Sequence, residues 1–147
     1  SKVYRTRMSG FTSAPPRRVL TRLTDYSVLA AHHSMITKAA IVARQSPTHF
    51  TVRIEAEPCF LFFCRTVTRI EEVRVAPNKI ETIIRPESDG VEGGRTLWLV
   101  GRVNGRTRIE VFNEVRPDAS TRRIPKPIIA RQLRKSFTQL LRIVGGP

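Results

Sequence analysis

Residues 50–57, FTVRIEAE, alternate Phe50, Val52, Ile54 and Ala56 with Thr51, Arg53, Glu55 and Glu57. Successive strand side chains point to opposite faces, so this period of two predicts a half-buried strand. CFLFFC, 59–64, is an unbroken apolar run after Pro58, as expected of a segment covered on both faces. VTRIEEVRV, 67–75, alternates until Glu71-Glu72, where the phase slips and predicts a bulge or break. KIETIIR, 79–85, reads as another short strand. In RTLWLVGRVNGRTRIEVFNEV, Asn104-Gly105 lies between two β-rich runs, and both residues tolerate the positive φ of a type I′ turn. That turn sets Val103 opposite Arg106, Val100 opposite Ile109 and Trp98 opposite Val111, with Trp98, Val100, Ile109 and Val111 on the core face.

The pattern differs at the two ends. Residues 17–45 are rich in Leu and Ala and free of Gly and Pro, which predicts a helical region with a break near His33-Ser34. Near the C-terminus, Ile129, Leu133, Phe137, Leu140, Leu141 and Val144 share one stripe at about 100° per residue. Arg131, Arg134, Lys135 and Arg142 fall on the opposite face. Pro127 suits a first helical turn, and Gly145, Gly146 and Pro147 signal its stop, giving a helix over 127–144. The fold class expected is α+β: a four- to five-stranded antiparallel sheet over 50–115, flanked by the N-terminal helical region and the C-terminal amphipathic helix. Residues 17–147 form one domain in this scheme. Residues 1–16 lack any apolar period and are expected to be an extended basic arm.

Charge changes the picture at those same ends. The 147 residues carry 26 Lys and Arg against 12 Asp and Glu, a net charge of +14. Residues 1–54 hold +8 and residues 119–147 hold +7, while 55–118 sum to −1. Such a distribution belongs to nucleic-acid or anionic-membrane binders. The arm also interleaves Tyr4 and Phe11 with its cations, and aromatic rings stack on unpaired bases. Arg outnumbers Lys 21 to 5; its planar fork suits phosphate, although genome composition produces the same bias. An Arg-rich, acid-poor N-terminus equally describes an organellar transit segment.

Catalytic chemistry is sparse. GVEGGR, 90–95, lacks the ending of a phosphate-binding loop, and no nucleophile-elbow or zinc-protease pattern occurs. Cys59 and Cys64 are expected to be buried free thiols in a reducing compartment rather than a metal site or a disulfide. His32-His33 are placed on a helix surface or its end, and Glu71-Glu72, as strand neighbours, on opposite faces. No catalytic residue, metal ligand or cofactor is expected, and no apolar run is long enough to span a membrane as a helix.

The combination of a small α+β body, Arg-rich ends and an extended arm is similar in type to mitochondrial ribosomal proteins, with no diagnostic motif behind the likeness. It implies a structural, non-enzymatic rRNA-contacting subunit of an organellar ribosome, located in the mitochondrion and partnered by RNA and neighbouring proteins. The RNA contacts would come from Lys2, Tyr4, Arg5, Arg7, Phe11, Arg17, Arg18, Arg122, Arg123, Lys126, Arg131, Arg134, Lys135 and Arg142. The alternative is an accessory subunit of an organellar membrane complex, its basic helix on anionic lipid or an acidic subunit.

Overall fold

The computed structural model describes residues 3–60 and 63–146. In chain order these form β1 (Tyr4–Thr12), α1 (Pro16–Leu23), α2 (Tyr26–His32), β2 (Ile36–Ser46), β3 (His49–Ala56), β4 (Cys59–Phe60), β5 (Phe63–Cys64), β6 (Val67–Ala76), β7 (Lys79–Ile84), β8 (Val91–Val103), β9 (Arg106–Pro117), α3 (Ala119–Arg122) and α4 (Lys126–Gly145). The main sheet has seven antiparallel strands in the order β1-β9-β8-β7-β6-β3-β2, more than the four or five expected. The Asn104-Gly105 turn adopts the expected positive φ values of 52° and 79° and gives the expected register between β8 and β9.

The additional strands come from the two ends. Residues expected to form a free arm contain β1, which pairs with β9 from Tyr4 opposite Val115 to Thr12 opposite Thr107. Lys2 lies outside the described residues. The expected helical region 17–45 holds two short helices and then β2. Asp25 separates the helices, its carboxylate accepting from the Val28 N–H at 3.3 Å as an N-cap. β2 contains the β-branched Ile36, Thr37, Ile41 and Val42 and pairs with β3 along its length, with register shifts at Ile36/Lys38, Ile41/Ala43 and Arg44/Ser46, and this pairing outweighs the helix propensity of its alanines.

The middle of the chain departs from the expected pattern at two places. Cys59 and Cys64 are exposed and joined by a disulfide across the small β4–β5 hairpin. They are neither free nor buried, because Cys59–Phe60 pairs antiparallel with Phe63–Cys64, which brings the two sulfurs together; Leu61 and Phe62 lie outside the described residues. β6 also runs unbroken past Glu71 and Glu72, with continuous register to both β3 and β7. The apparent phase slip arises because a carboxylate occupies an inward position.

α4 packs on the concave sheet face against α1 and β1. Phe137 and Val144 enter the core with Val19, Leu20, Leu23, Tyr26, Leu29, Phe50, Val52, Val73, Ile80, Val100, Ile109 and Val111. Burial of such side chains contributes about 1.5–3 kcal/mol each, far above exposed ion pairs. Trp98 stacks on Phe137 with ring centroids 6.3 Å apart. Arg22 of α1 donates to the Val144 and Gly146 carbonyls, satisfying acceptors that a helix end leaves open. Among the described residues, no helix is long and apolar enough to cross a membrane.

Candidate ligand cavity

Part of the α4 apolar stripe lines a space beside the core. Ile129, Leu133 and Leu140, with Gln132 and Ser136 between them, roof a cavity of about 320 Å³ above the concave sheet. Its floor is set by strand parity: the inward positions Tyr4 and Thr6 of β1, Ile54 and Ala56 of β3, Val67, Arg69 and Glu71 of β6, and Asn113 and Val115 of β9. Most of this lining is apolar. The volume lies at the small end of the range for small-molecule sites.

Polar groups also line the space, among them Arg65, which donates to Ser120, and Asp89, which accepts from the Thr68 N–H. Arg69 and Glu71 alternate with outward Ile70 and Glu72 on β6, which turns both charges inward, opposite Ile54 and Val52 of β3. Glu71 is half-buried and lines the cavity. Burial raises its carboxyl above the usual carboxylate range, and the Arg69 charge partly offsets this. The two form no ion pair with each other, and Arg69 makes no side-chain hydrogen bond with the described residues. Tyr26 is raised as well, by burial first and by the nearby Glu71 charge second.

At the helix side, His33 forms the C-cap of α2 and is 4% exposed, in contrast to exposed His32. The Met35 backbone N–H donates to His33 Nδ1 at 3.2 Å, which leaves the proton of the neutral ring on Nε2. Nε2 lies 3.0 Å from Ser136 Oγ and donates to it. Burial lowers the His33 pKa, with the Ser136 contact opposing, so the neutral form is favoured at physiological pH. A histidine in this tautomer cannot remove the serine proton, so the pair is not a nucleophile and its base. Thr6 Oγ1 is buried without a hydrogen-bond partner among the described residues.

The residues expected to bind RNA are distributed over several surfaces. Arg5 and Arg7 project from the convex sheet face, paired with Glu114 at 3.4 Å and Glu110 at 2.9 Å. Phe11 is exposed beneath the Arg106 guanidinium, and Tyr4 turns inward to the cavity with Lys126 over its ring. Arg17 and Arg18 are exposed on α1, while Arg122 meets Glu92 at 3.8 Å beside exposed Arg123. Arg131, Arg134, Lys135 and Arg142 occupy the outer face of α4, as their spacing required. The sequence pattern therefore placed these helical cations correctly but missed Arg69, Glu71, His33 and Ser136. The usable signal was the parity of β6, where Arg69 and Glu71 share a face with Val67, Val73 and Val75.

No family model and no curated protein sequence matches the chain. Solved structures do. The protein TTHA0849 from Thermus thermophilus superposes with a TM-score of 0.78 and 17% identity, covering 96% of this chain and 97% of that one. The Zhui aromatase/cyclase from Streptomyces sp. R1128 gives 0.80 and 13%, with 97% and 94% covered. A START superfamily protein from Mycobacterium smegmatis gives 0.76 and 16%, again with 97% and 94% covered. The fold is START-like: α+β, with a large antiparallel sheet gripped by a C-terminal helix. This likeness along nearly the whole chain overturns the expected ribosomal subunit, its RNA and assembly partners, and the membrane-complex alternative. The apolar stripe and basic ends that suggested them belong to a helix closing a cavity and to the outside of a START-like body.

Proposed function

We propose that the protein binds a small, largely apolar organic molecule in the cavity between α4 and the concave sheet face, and holds it without chemical conversion. The observation that carries this reading is an apolar-lined space of about 320 Å³ that includes inward-facing Arg69 and Glu71. A folded core of this size has no structural use for two ionisable groups beside a void, since burying charge is costly. The structural neighbours include an aromatase/cyclase, which supports a small organic guest. Binding without turnover is supported by the His33 tautomer, which denies Ser136 a base.

Titration with the neutral fluorescent probe N-phenylnaphthylamine tests the reading. One saturable site is expected, and Leu133→Trp, which fills the cavity from its roof, should abolish it while the protein still melts cooperatively. Acetylnaphthalene recovered from the protein should be returned unchanged, as mass spectrometry would show. Absence of saturable probe binding, or binding indifferent to Leu133→Trp in a folded variant, would remove the cavity as a ligand site.

A further inference from the structure

We propose that Ser136 reads a ligand oxygen, donating its hydroxyl hydrogen to a carbonyl or carboxylate of the bound molecule, and that His33 is the positioning residue that reserves the hydrogen for this purpose. The inference rests on the cavity being a ligand site and names the chemistry of what enters it.

The hydrogen-bond inventory leads there. A serine hydroxyl has one hydrogen to donate and two lone pairs to accept with. His33 Nε2–H occupies one lone pair at 3.0 Å, and the Met35 N–H on Nδ1 prevents the ring from reversing that direction. Serine and threonine in helices commonly return their hydrogen to the carbonyl four residues back. Thr138, two residues on, does so, donating to the Arg134 carbonyl at 2.9 Å. Ser136 makes no such bond to Gln132, and no acceptor among the described residues takes its hydrogen. The Gln132 amide is directed to the Met35 sulfur, and Leu133 and Leu140 are apolar. The hydroxyl of half-buried Ser136 is thus a held donor at the cavity wall. Arg69, the unpaired donor on the sheet side, calls for the same kind of partner. A ligand bearing acceptor oxygen on an apolar frame matches both walls, whereas a hydrocarbon leaves them unmatched.

The test is competition against bound N-phenylnaphthylamine by two ligands of the same shape, acetylnaphthalene and isopropenylnaphthalene, which differ in a carbonyl oxygen against a methylene. Ser136→Ala should weaken the ketone about tenfold and leave the hydrocarbon within about twofold, the signature of one lost buried hydrogen bond. Ser136→Thr retains the donor and should restore the preference. His33→Phe should reduce the ketone preference, and His33→Gln, whose amide N–H can replace Nε2–H, should recover it. An unchanged ketone-to-hydrocarbon ratio in Ser136→Ala, or equal weakening of both ligands, overturns the proposal. So does failure of the ketone to compete while the probe binds, an outcome that leaves the cavity itself standing. If the probe does not bind wild-type protein, the proposed function falls as well.

Discussion

Glu71 occupies an inward position where a carboxylate is costly. Its carboxyl is inward, raised by burial, and only partly compensated by Arg69. An acid raised in the folded state contributes full stability only below its unfolded pKa and loses it as pH rises through the folded value. Glu71→Gln should therefore raise the melting temperature of the unliganded protein at neutral pH by about 2–4 °C, the change made by ~1 kcal/mol in a chain of this size. An unchanged or lower melting temperature would show that the charge is already well solvated or paired. His33 has the opposite sign of dependence. Its pKa is lowered from 6.5, so its contribution is complete above that value and declines as the pH falls below it. Melting curves between about pH 7 and 5 should fall less steeply in His33→Gln than in wild type. The sequence held a trace of this chemistry: the period-two reading of 67–75 failed at Glu71. A bulge was the local explanation, but continuous pairing shows that the backbone kept its phase while the side-chain type broke the rule.

Elements differed in legibility for physical reasons. The β8–β9 hairpin was readable to the register because its turn is a two-residue local event with a backbone requirement that few residues meet. The C-terminal helix was readable because its apolar stripe faces either the core or the cavity, and both accept apolar side chains. β1 was not. Its inward positions are Tyr4, Thr6, Met8, Gly10 and Thr12, which line a cavity or meet a closely approaching helix, so they offer little contrast with Arg5, Arg7, Ser9 and Phe11. Gly10 shows the constraint: an added Cβ would lie 2.6 Å from Leu141 Cδ1 of α4, whereas one at Gly101 would meet nothing within 4 Å. Gly10→Thr should accordingly destabilise by about 1–3 kcal/mol, while Gly101→Thr should be neutral or slightly favourable in its strand. Denaturant midpoints at unchanged m-value measure both. Removal of residues 1–12 should be far worse than trimming a free arm, because it strips a paired strand and the Tyr4–Thr6 wall.

At the scale of the molecule, the cavity was invisible from local pattern because it gathers residues from Tyr4 to Leu140 that only the curved seven-stranded sheet brings together. The charge asymmetry was real, but charge speaks to surface behaviour and not to fold. Whole-chain stability should follow occupancy: a ligand that binds only the folded state adds about 2.7 kcal/mol at a hundred times its Kd. Differential scanning fluorimetry with acetylnaphthalene should thus show a concentration-dependent rise of several degrees in wild type and none in Leu133→Trp.

The void under α4 has a consequence for the protein's lifetime. Unfilled space forfeits packing contacts, so the empty form lies closer to the unfolded state, and proteases act on chains that open. In a living cell the amount of this protein would then report the supply of its guest without any dedicated sensor or transcriptional control. Pulse-chase decay of the wild-type chain should slow when acetylnaphthalene is added to the culture, and the decay of Leu133→Trp should not respond. Identical decay of wild type with and without the ketone would mean that occupancy leaves turnover untouched.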